Sequence, residues 1–310
     1  MDERLAAVLA AQDGVVSTAD AARVAVSAVQ LDGLARSGRL VRVRRGAYVL
    51  RETLASASPE QRYRLRTKAV LRSRPALDAA SHHAALLLAG VDTYRVDLDI
   101  VDLVSAVRST RVRSGVRTHP SSGLGVEVVD GWSRVLLPTA LCQVAGASGI
   151  VAAVASMDDA LHDRRCTVGQ LWSAVLQLPD HHRSAAGRAI DLADPASESV
   201  GETRTRLLLR DLGFEVVSQR VLTDGRRFVG RVDLLVDGVV VVEFDGLVKY
   251  AGQEGRRALA AEKARESAIV DLGYEVVRLV WADLANPAEV ARRVRLALAR
   301  AGRRRISLGA

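Results

Sequence analysis

Long apolar runs, cysteine and lysine are all scarce in this 310-residue chain. Each scarcity excludes something. The most apolar stretches, such as residues 84–91, are about half the ~20 residues a membrane-spanning helix needs. Membrane attachment is therefore not expected. The two cysteines, Cys142 and Cys166, are far apart and form no C-x-x-C pair, which argues against a disulfide framework and against a zinc knuckle. The opening MDERLAAVLA has acids and no basic stretch before its apolar residues, so it does not read as a secretion signal, and a cytoplasmic location is expected. The C-terminal third has neither histidine nor cysteine, so chemistry there must use carboxylates, lysines and a metal.

What is present points to an anionic partner. The net charge is +8 and the isoelectric point about 10.1, and nucleic acid is the first candidate for a basic chain without an apolar anchor. The length suits two or three domains. Of the 44 basic residues only Lys68, Lys249 and Lys263 are lysine, and two of these fall beside an acidic hairpin at residues 231–250. A compact ammonium changes its pKa and donates to an attacking water more readily than a guanidinium does.

That hairpin concentrates the acidic chemistry. Residues 239–244 form a β-branched run after the turn signal Asp237-Gly238 and read as a buried strand. Alternation puts Glu243 and Asp245 on one face and Val240, Val242 and Phe244 on the other. Upstream, Val232, Leu234 and Val236 alternate with Arg231, Asp233 and Leu235, which sets Asp233 on a neighbouring strand within reach of Glu243. Crowded carboxylates repel one another, and Mg²⁺ or Mn²⁺ would relieve that repulsion. Pairing of these acids with Arg231 and Arg278 is the competing expectation.

The first 52 residues read as a winged helix-turn-helix. A helix over residues 2–12 is followed by a second over 19–25, capped by Ser17 or Thr18, and a third over 28–36, capped by Ser27. Residues 39–44 alternate basic and aliphatic side chains, turn at Arg45-Gly46 and return through 47–50. Six arginines and no acid lie between Arg36 and Arg51, as a wing lying along phosphates requires. Gln30 and Arg36 on the third helix are candidates for base or phosphate contacts, and Arg39, Arg42, Arg44 and Arg45 for phosphates. The segment GLARSGRLVRVRRGAYVL resembles the winged-helix domain of AbiEi-type antitoxins from type IV toxin–antitoxin systems. The resemblance implies operator DNA as the partner, with a cognate toxin or operon partner as a further possibility.

Residues 53–191 read as a mixed α/β region. A charged helix over 59–74 is expected to link it to the wing and add positive surface. Beyond it, a helix at 77–91, strands at 96–104, 115–119 and 126–129, and helices at 138–144, 150–161 and 167–177 follow. SHHAALLLAG and GVRTHP resemble the corresponding region of the same antitoxins. All six histidines lie here, but neither adjacent pair has the i, i+4 spacing of a zinc helix, so structural or surface roles are expected.

A linker at 192–199 precedes the last domain, residues 196–298, with a basic tail at 299–310. Ser199 and Glu202 have capping-box spacing, and the helix runs to Gly213. Strands at 214–222, 227–236 and 239–244, a helix at 258–272 and a strand at 274–281 complete an αβββαβ order. This layout resembles the PD-(D/E)XK, restriction-endonuclease-like fold. ETRTRLLLRDLGF, RVDLLV, VVVEFDGLVKY and EKARESAIVDLGYEVVRLVWADL resemble the domain of unknown function 559 and its very-short-patch-repair-like relatives. The resemblance implies Asp233 and Glu243 as metal ligands and Glu202 as a supporting acid. The chain departs from the E-x-K pattern, with Asp245 at the lysine position, so Lys249 or Lys263 would have to substitute. The expected activity is hydrolysis of DNA phosphodiesters, using DNA delivered by the winged helix. Its rival is a non-enzymatic operator-binding regulator on a degenerate nuclease scaffold.

Overall fold

Three helices open the chain, each started by a side-chain cap. Asp2 accepts the amides of Arg4 and Leu5 to begin α1 (Glu3–Ala11), and reciprocal capping boxes from Ser17 and Ser27 begin α2 (Thr18–Arg23) and α3 (Ala28–Arg36). Strand β1 (Val15–Ser17) precedes α2, and β2 (Leu40–Arg44) and β3 (Ala47–Leu50) form the wing; the sheet order is β1-β3-β2. Leu5, Leu9, Ala21, Leu31, Leu40 and Tyr48 fill the core between helices and sheet. This is the winged-helix arrangement expected from the sequence.

The computed structural model describes residues 1–121, 123–246 and 252–308, excluding the side chains of 252–261 and 304–308. It divides into one unit of Met1–Ser156 with Cys166–Asp191 and a second of Met157–Arg165 with Leu192–Ala310.

In the first unit, α4 (Arg51–Ser56) leads into α5 (Pro59–Arg72). Rather than a charged linker, α5 buries Tyr63, Leu65, Thr67, Ala69 and Val70. Its cations turn inward: Arg66 donates to the carbonyls of Leu98 and Gly115, Lys68 pairs with Asp13 and Arg72 with Asp20. Three of the cations expected to add positive surface are thus engaged by partners remote in sequence, while Arg62 stays exposed. A six-stranded sheet follows from β4 (Ala79–Ala80), β5 (Val101–Ser105), β6 (Arg111–Arg113), β7 (Val116–Pro120), β8 (Val126–Val129) and β9 (Trp132–Val135), in the order β6-β7-β5-β4-β9-β8. Helix α6 (His82–Ala89) sits between β4 and β5 in the chain. Strand β5 starts at Val101 rather than residue 96, because the Asp97 carboxylate accepts the amide of Asp99 in a turn just before it. Helices α7 (Leu137–Ser148), α8 (Ile150–His162), whose residues from Met157 on belong to the second unit, α9 (Val168–Val175) and α10 (Asp180–Leu192) follow. The sequence reading missed α10, whose buried face is mostly alanine, Ala186 and Ala189 with Ile190, and so carries little periodic signal.

The second unit runs α11 (Val200–Asp211), β10 (Val216–Asp224), β11 (Arg227–Val236), β12 (Val240–Phe244), α12 (Gly252–Asp271), β13 (Glu275–Leu279) and α13 (Pro287–Leu308). The sheet order is β10-β11-β12-β13, with only the β12–β13 pair parallel. Residues 299–308 continue α13 instead of forming a tail, and Val290, Val294, Ala297 and Ala301 are buried along it. The segment after Leu192 is also no loose linker. The fully enclosed Arg206 guanidinium donates to the Leu192 carbonyl (2.8 Å) and to Asp158 (2.7 Å), and Asp158 in turn accepts the amide of Asp194.

Candidate carboxylate site

The alternation along β12 holds: Val240 and Val242 join the core on one sheet face with Phe244 against it, and Val241 belongs to the cluster on the other face, that of Ile269. Glu243 shares the Val241 face and is buried. The pattern on β11 fails at one point. Leu234 and Val236 pack with Val240 and Val242 as expected, but Val232 packs with Leu235 and Val241. The break falls at Asp233. Opposite it on β10, the pairing skips Gln219, whose φ of +51° is a left-handed backbone that non-glycine residues seldom adopt. That irregularity marks the place where side chains from three elements meet.

Asp233 accepts the Phe244 amide at 3.0 Å. Its carboxyl is pushed up to about 6, first by burial and then by the charges of Glu202 and Glu243; the Phe244 N–H and Arg265 oppose the rise. Glu202 comes from α11, which approaches β12 closely because residue 201 is glycine. A Cβ at Gly201 would sit 2.0 Å from the Phe244 ring. Glu202 accepts from the Glu198 amide (3.0 Å), the Ser199 hydroxyl (2.9 Å) and the Gln219 side-chain amide (2.8 Å). It therefore closes its helix and also adds negative charge at Asp233.

Cations border these acids. Arg265 on α12 donates to Glu243 at 2.8 Å and to the Arg231 carbonyl at 3.1 Å. Arg278 on β13 lies 3.6 Å from Glu243, 3.5 Å from Asp245 and 3.0 Å from Glu266, and also bonds Glu262. Burial works against the Arg278 charge, but these acids outweigh it and hold the guanidinium firmly protonated. Asp245 thus faces Arg278, and Arg231 pairs with Glu198 rather than with Asp233 or Glu243. Lys263, expected as the site's ammonium, is exposed and has no hydrogen bond or ion pair among the described residues. Its position on α12 is two residues from Arg265, about 200° around the helix, so the two cannot face the same acid. Lys249 lies outside the described residues.

On the winged helix, Arg36, Arg39, Arg42 and Arg45 are exposed. Arg36, Arg42 and Arg51 line an open groove along α3 and β2, and Arg42 is 3.8 Å from Asp32. Gln30 is exposed in the first turn of α3, but its carbonyl oxygen is engaged by Ser27 in the capping box, through the amide at 2.8 Å and the hydroxyl at 3.0 Å. Arg44 departs from the expected set. A register shift between Arg42 and Arg44 turns it inward, where it lines a cavity of about 330 Å³ with Arg74, Arg111 and Arg113. Burial, then repulsion from Arg74, lowers its pKa. Val29, exposed on α3, is an apolar candidate that a search for charged residues overlooks.

Residues 3–51 match the family model described as a transcriptional regulator, AbiEi antitoxin. The match ends with the wing. No curated protein matches the chain. Among the described residues no helix is long and apolar enough to cross a membrane.

Two site residues escaped the sequence reading. Gln219 carried no signal, because its importance arises from backbone geometry and from a partner on another element. Arg265 lies in a charged helical stretch that singles out no one residue, and only the packing of α12 against β11 and β13 brings it to Glu243.

Proposed function

We propose that the chain is a DNA-binding protein whose second unit hydrolyses phosphodiesters at Asp233 and Glu243 with Mg²⁺ or Mn²⁺. The observation that carries the proposal is the placing of Asp233 and Glu243 on adjacent strands with Glu202 brought in from α11, and the shift of the Asp233 carboxyl up to about 6 by burial and by those two acids accords with it. A protein gains nothing in stability from such crowding, and sites of this kind concentrate where function requires them. The donor set would suit a hard divalent cation: oxygen ligands only, with Arg265 and Arg278 neutralising Glu243 in part and no cation paired to Asp233 among the described residues. When bound, the ion would neutralise the carboxylates and polarise the scissile phosphate.

The chain's own residues do the rest. Asp233 and Glu243 would hold the ion, and Glu202, steadied by Gln219, would support Asp233. Arg265 takes the role that the sequence assigned to a lysine, lying where it can stabilise charge developing on the phosphate. Arg278 fixes Glu243 from the other strand. The groove beside α3 and the exposed wing arginines would carry the DNA backbone, with Val29 placed for an apolar contact to a thymine methyl. The antitoxin-family match over residues 3–51 supports the DNA-binding half of this reading.

Cleavage assays divide the cationic roles. Arg265→Ala is expected to lower the rate by ~10²–10³-fold, the scale of one positioned electrostatic group, while Lys263→Ala changes it less than threefold. The reverse ranking would return the role to the lysine. For the wing, replacing Arg36, Arg42 and Arg45 together by alanine should weaken duplex binding and flatten the plot of log K against log salt by about 0.9 for each phosphate no longer neutralised. Arg44→Ala should leave that slope unchanged. An unaltered slope in the triple variant would remove the wing from the DNA interface.

A second reading is favoured by the ion pairs of Glu243, which Arg265 and Arg278 already neutralise in part. In it the protein is an operator-binding regulator, and the carboxylate unit is a scaffold without turnover. Specific duplex binding by a protein that neither responds to Mg²⁺ nor cuts DNA would select this reading.

A further inference from the structure

Two motifs of the first unit, SHHAALLLAG and GVRTHP, are left unused by the carboxylate chemistry, and the fold brings them together. Strand β4 pairs with β5 through Ala80 and Leu103, and the Ser81 amide bonds the Asp102 carbonyl at 3.0 Å, so His82 begins α6 beside Asp102. Strand β7 runs parallel to β5 on its other side and carries His119 opposite Val104. Ligand atoms of His82, Asp102 and His119 all lie within 4.8 Å of one another. The two imidazoles are stacked with centroids 4.3 Å apart, and His119 Nε2 is 2.7 Å from Asp102.

We propose that His82, Asp102 and His119 form a binding site for one transition-metal ion of the zinc class, with a fourth position open to water. Two imidazoles and one carboxylate are a donor set that such ions take, and three protein ligands leave that position vacant. The polar groups behind the ligands fit the role. Ser81 Oγ lies 3.0 Å from His82 Nδ1 and Thr110 Oγ1 lies 3.3 Å from His119 Nδ1. With each hydroxyl accepting from Nδ1–H, both rings would present an Nε2 lone pair to the ion, and His119 would give up to solvent the Nε2 proton that it donates to Asp102 in the metal-free protein. Arg117, 3.4 Å from Asp102, supports the carboxylate.

The electrostatics agree with this geometry. Burial, aided by the neighbouring His119, pushes His82 down to about 3, which keeps the imidazole in its ligating neutral form. Burial opposes ionisation of Asp102, but the His119 hydrogen bond and the Arg117 charge help to bring its carboxyl below the usual range. His82 is also held at φ +50°, a left-handed conformation, which is an unusual arrangement for a residue that merely fills space. The sequence concealed the site because its ligands are 17 to 37 residues apart on three elements, and neither His82 nor His119 has a second histidine at helical ligand spacing.

The test uses the full-length protein with Asp233→Asn and Glu243→Gln, so that the carboxylate unit cannot supply the binding, alongside wild type. Zn²⁺ is titrated calorimetrically, and Co²⁺ is followed by its visible absorption. One Zn²⁺ per chain is expected in the double variant and at least that one in wild type, with Co²⁺ giving the intense bands of a low-symmetry site and Zn²⁺ displacing it. His119→Gln should weaken Zn²⁺ at least tenfold, while the exposed His181→Gln should not. Where His119→Gln fails to fold, Thr110→Val serves instead, with a loss of about tenfold expected for an outer-shell partner. Absence of stoichiometric Zn²⁺ binding, or binding undiminished by loss of His119 or of the Thr110 hydroxyl, overturns the proposal. Loss of binding only in the Asp233→Asn, Glu243→Gln protein would assign the ion to the carboxylate unit and overturn it equally.

Discussion

Asp233→Asn should stabilise the metal-free protein at pH 8 and abolish its response to Mg²⁺. The Asp233 carboxyl sits near 6 in the fold, against an ordinary value of 3.8. The folded state therefore binds its proton more tightly than the unfolded chain does. Stability rises as pH falls from above 6 towards 4 and is lost as pH rises through that window, by on the order of 2 kcal/mol. Asparagine removes the charge, keeps the side-chain size and can still accept the Phe244 amide. The variant should consequently gain about that amount at pH 8 and nothing at pH 4. Mg²⁺ supplies the same relief to wild type, so its stabilising effect should appear above pH 6, vanish at pH 4.5 and be missing in Asp233→Asn. Urea titrations at the two pH values, with and without 10 mM Mg²⁺ (roughly ten times a millimolar affinity), measure both effects. A destabilised variant at pH 8 would mean that Asp233 is a structural acid.

Arg206→Ala should be the most damaging single change in the second unit. Arg206 and Asp158 are 0% and 1% exposed and bond at 2.7 Å. Removing the guanidinium leaves the Asp158 charge and the Leu192 carbonyl buried without their main partner. Breaking such a pair typically costs ~3–5 kcal/mol, whereas replacing both members by apolar residues of similar volume is often close to neutral. Arg206→Met with Asp158→Leu should accordingly lose less than Arg206→Ala alone. Chemical denaturation followed by circular dichroism decides the order. A loss under about 1 kcal/mol for Arg206→Ala would show that the pair does not hold the 192–199 segment in place.

These two residues also mark the limits of sequence reading. Asp233 was legible because a hairpin is local: an alternating pair of strands around Asp237-Gly238 puts its acid beside Glu243 without further information. The three N-terminal helices and the wing were legible for a similar reason, since Ser17, Ser27 and Gly46 act within a few residues of themselves. Arg206 gave no sign, because its partners lie 14 and 48 residues away. The same holds for the arginines of α5 and for Arg265, which composition presents as solvated charge and the fold turns inward. Backbone irregularities hid the rest. The register shift beside Arg44 and the left-handed Gln219 each reverse a period-two pattern that would otherwise assign faces correctly. Glu202 is legible from its spacing to Ser199 as a capping acid, whereas its place beside Asp233 is implied only by the resemblance to nuclease domains, and it reaches the acids because residue 201 has no side chain.

Nicking of supercoiled plasmid DNA by purified wild type, compared with Asp233→Asn, decides whether the second unit hydrolyses DNA at Asp233. Wild type is expected to convert the plasmid to open-circular or linear form with Mg²⁺ or Mn²⁺ and not with EDTA, and Asp233→Asn to bind the plasmid equally well but leave it intact. Wild type that binds the plasmid and leaves it supercoiled with either ion, or cleavage that survives in Asp233→Asn, would contradict hydrolysis at Asp233.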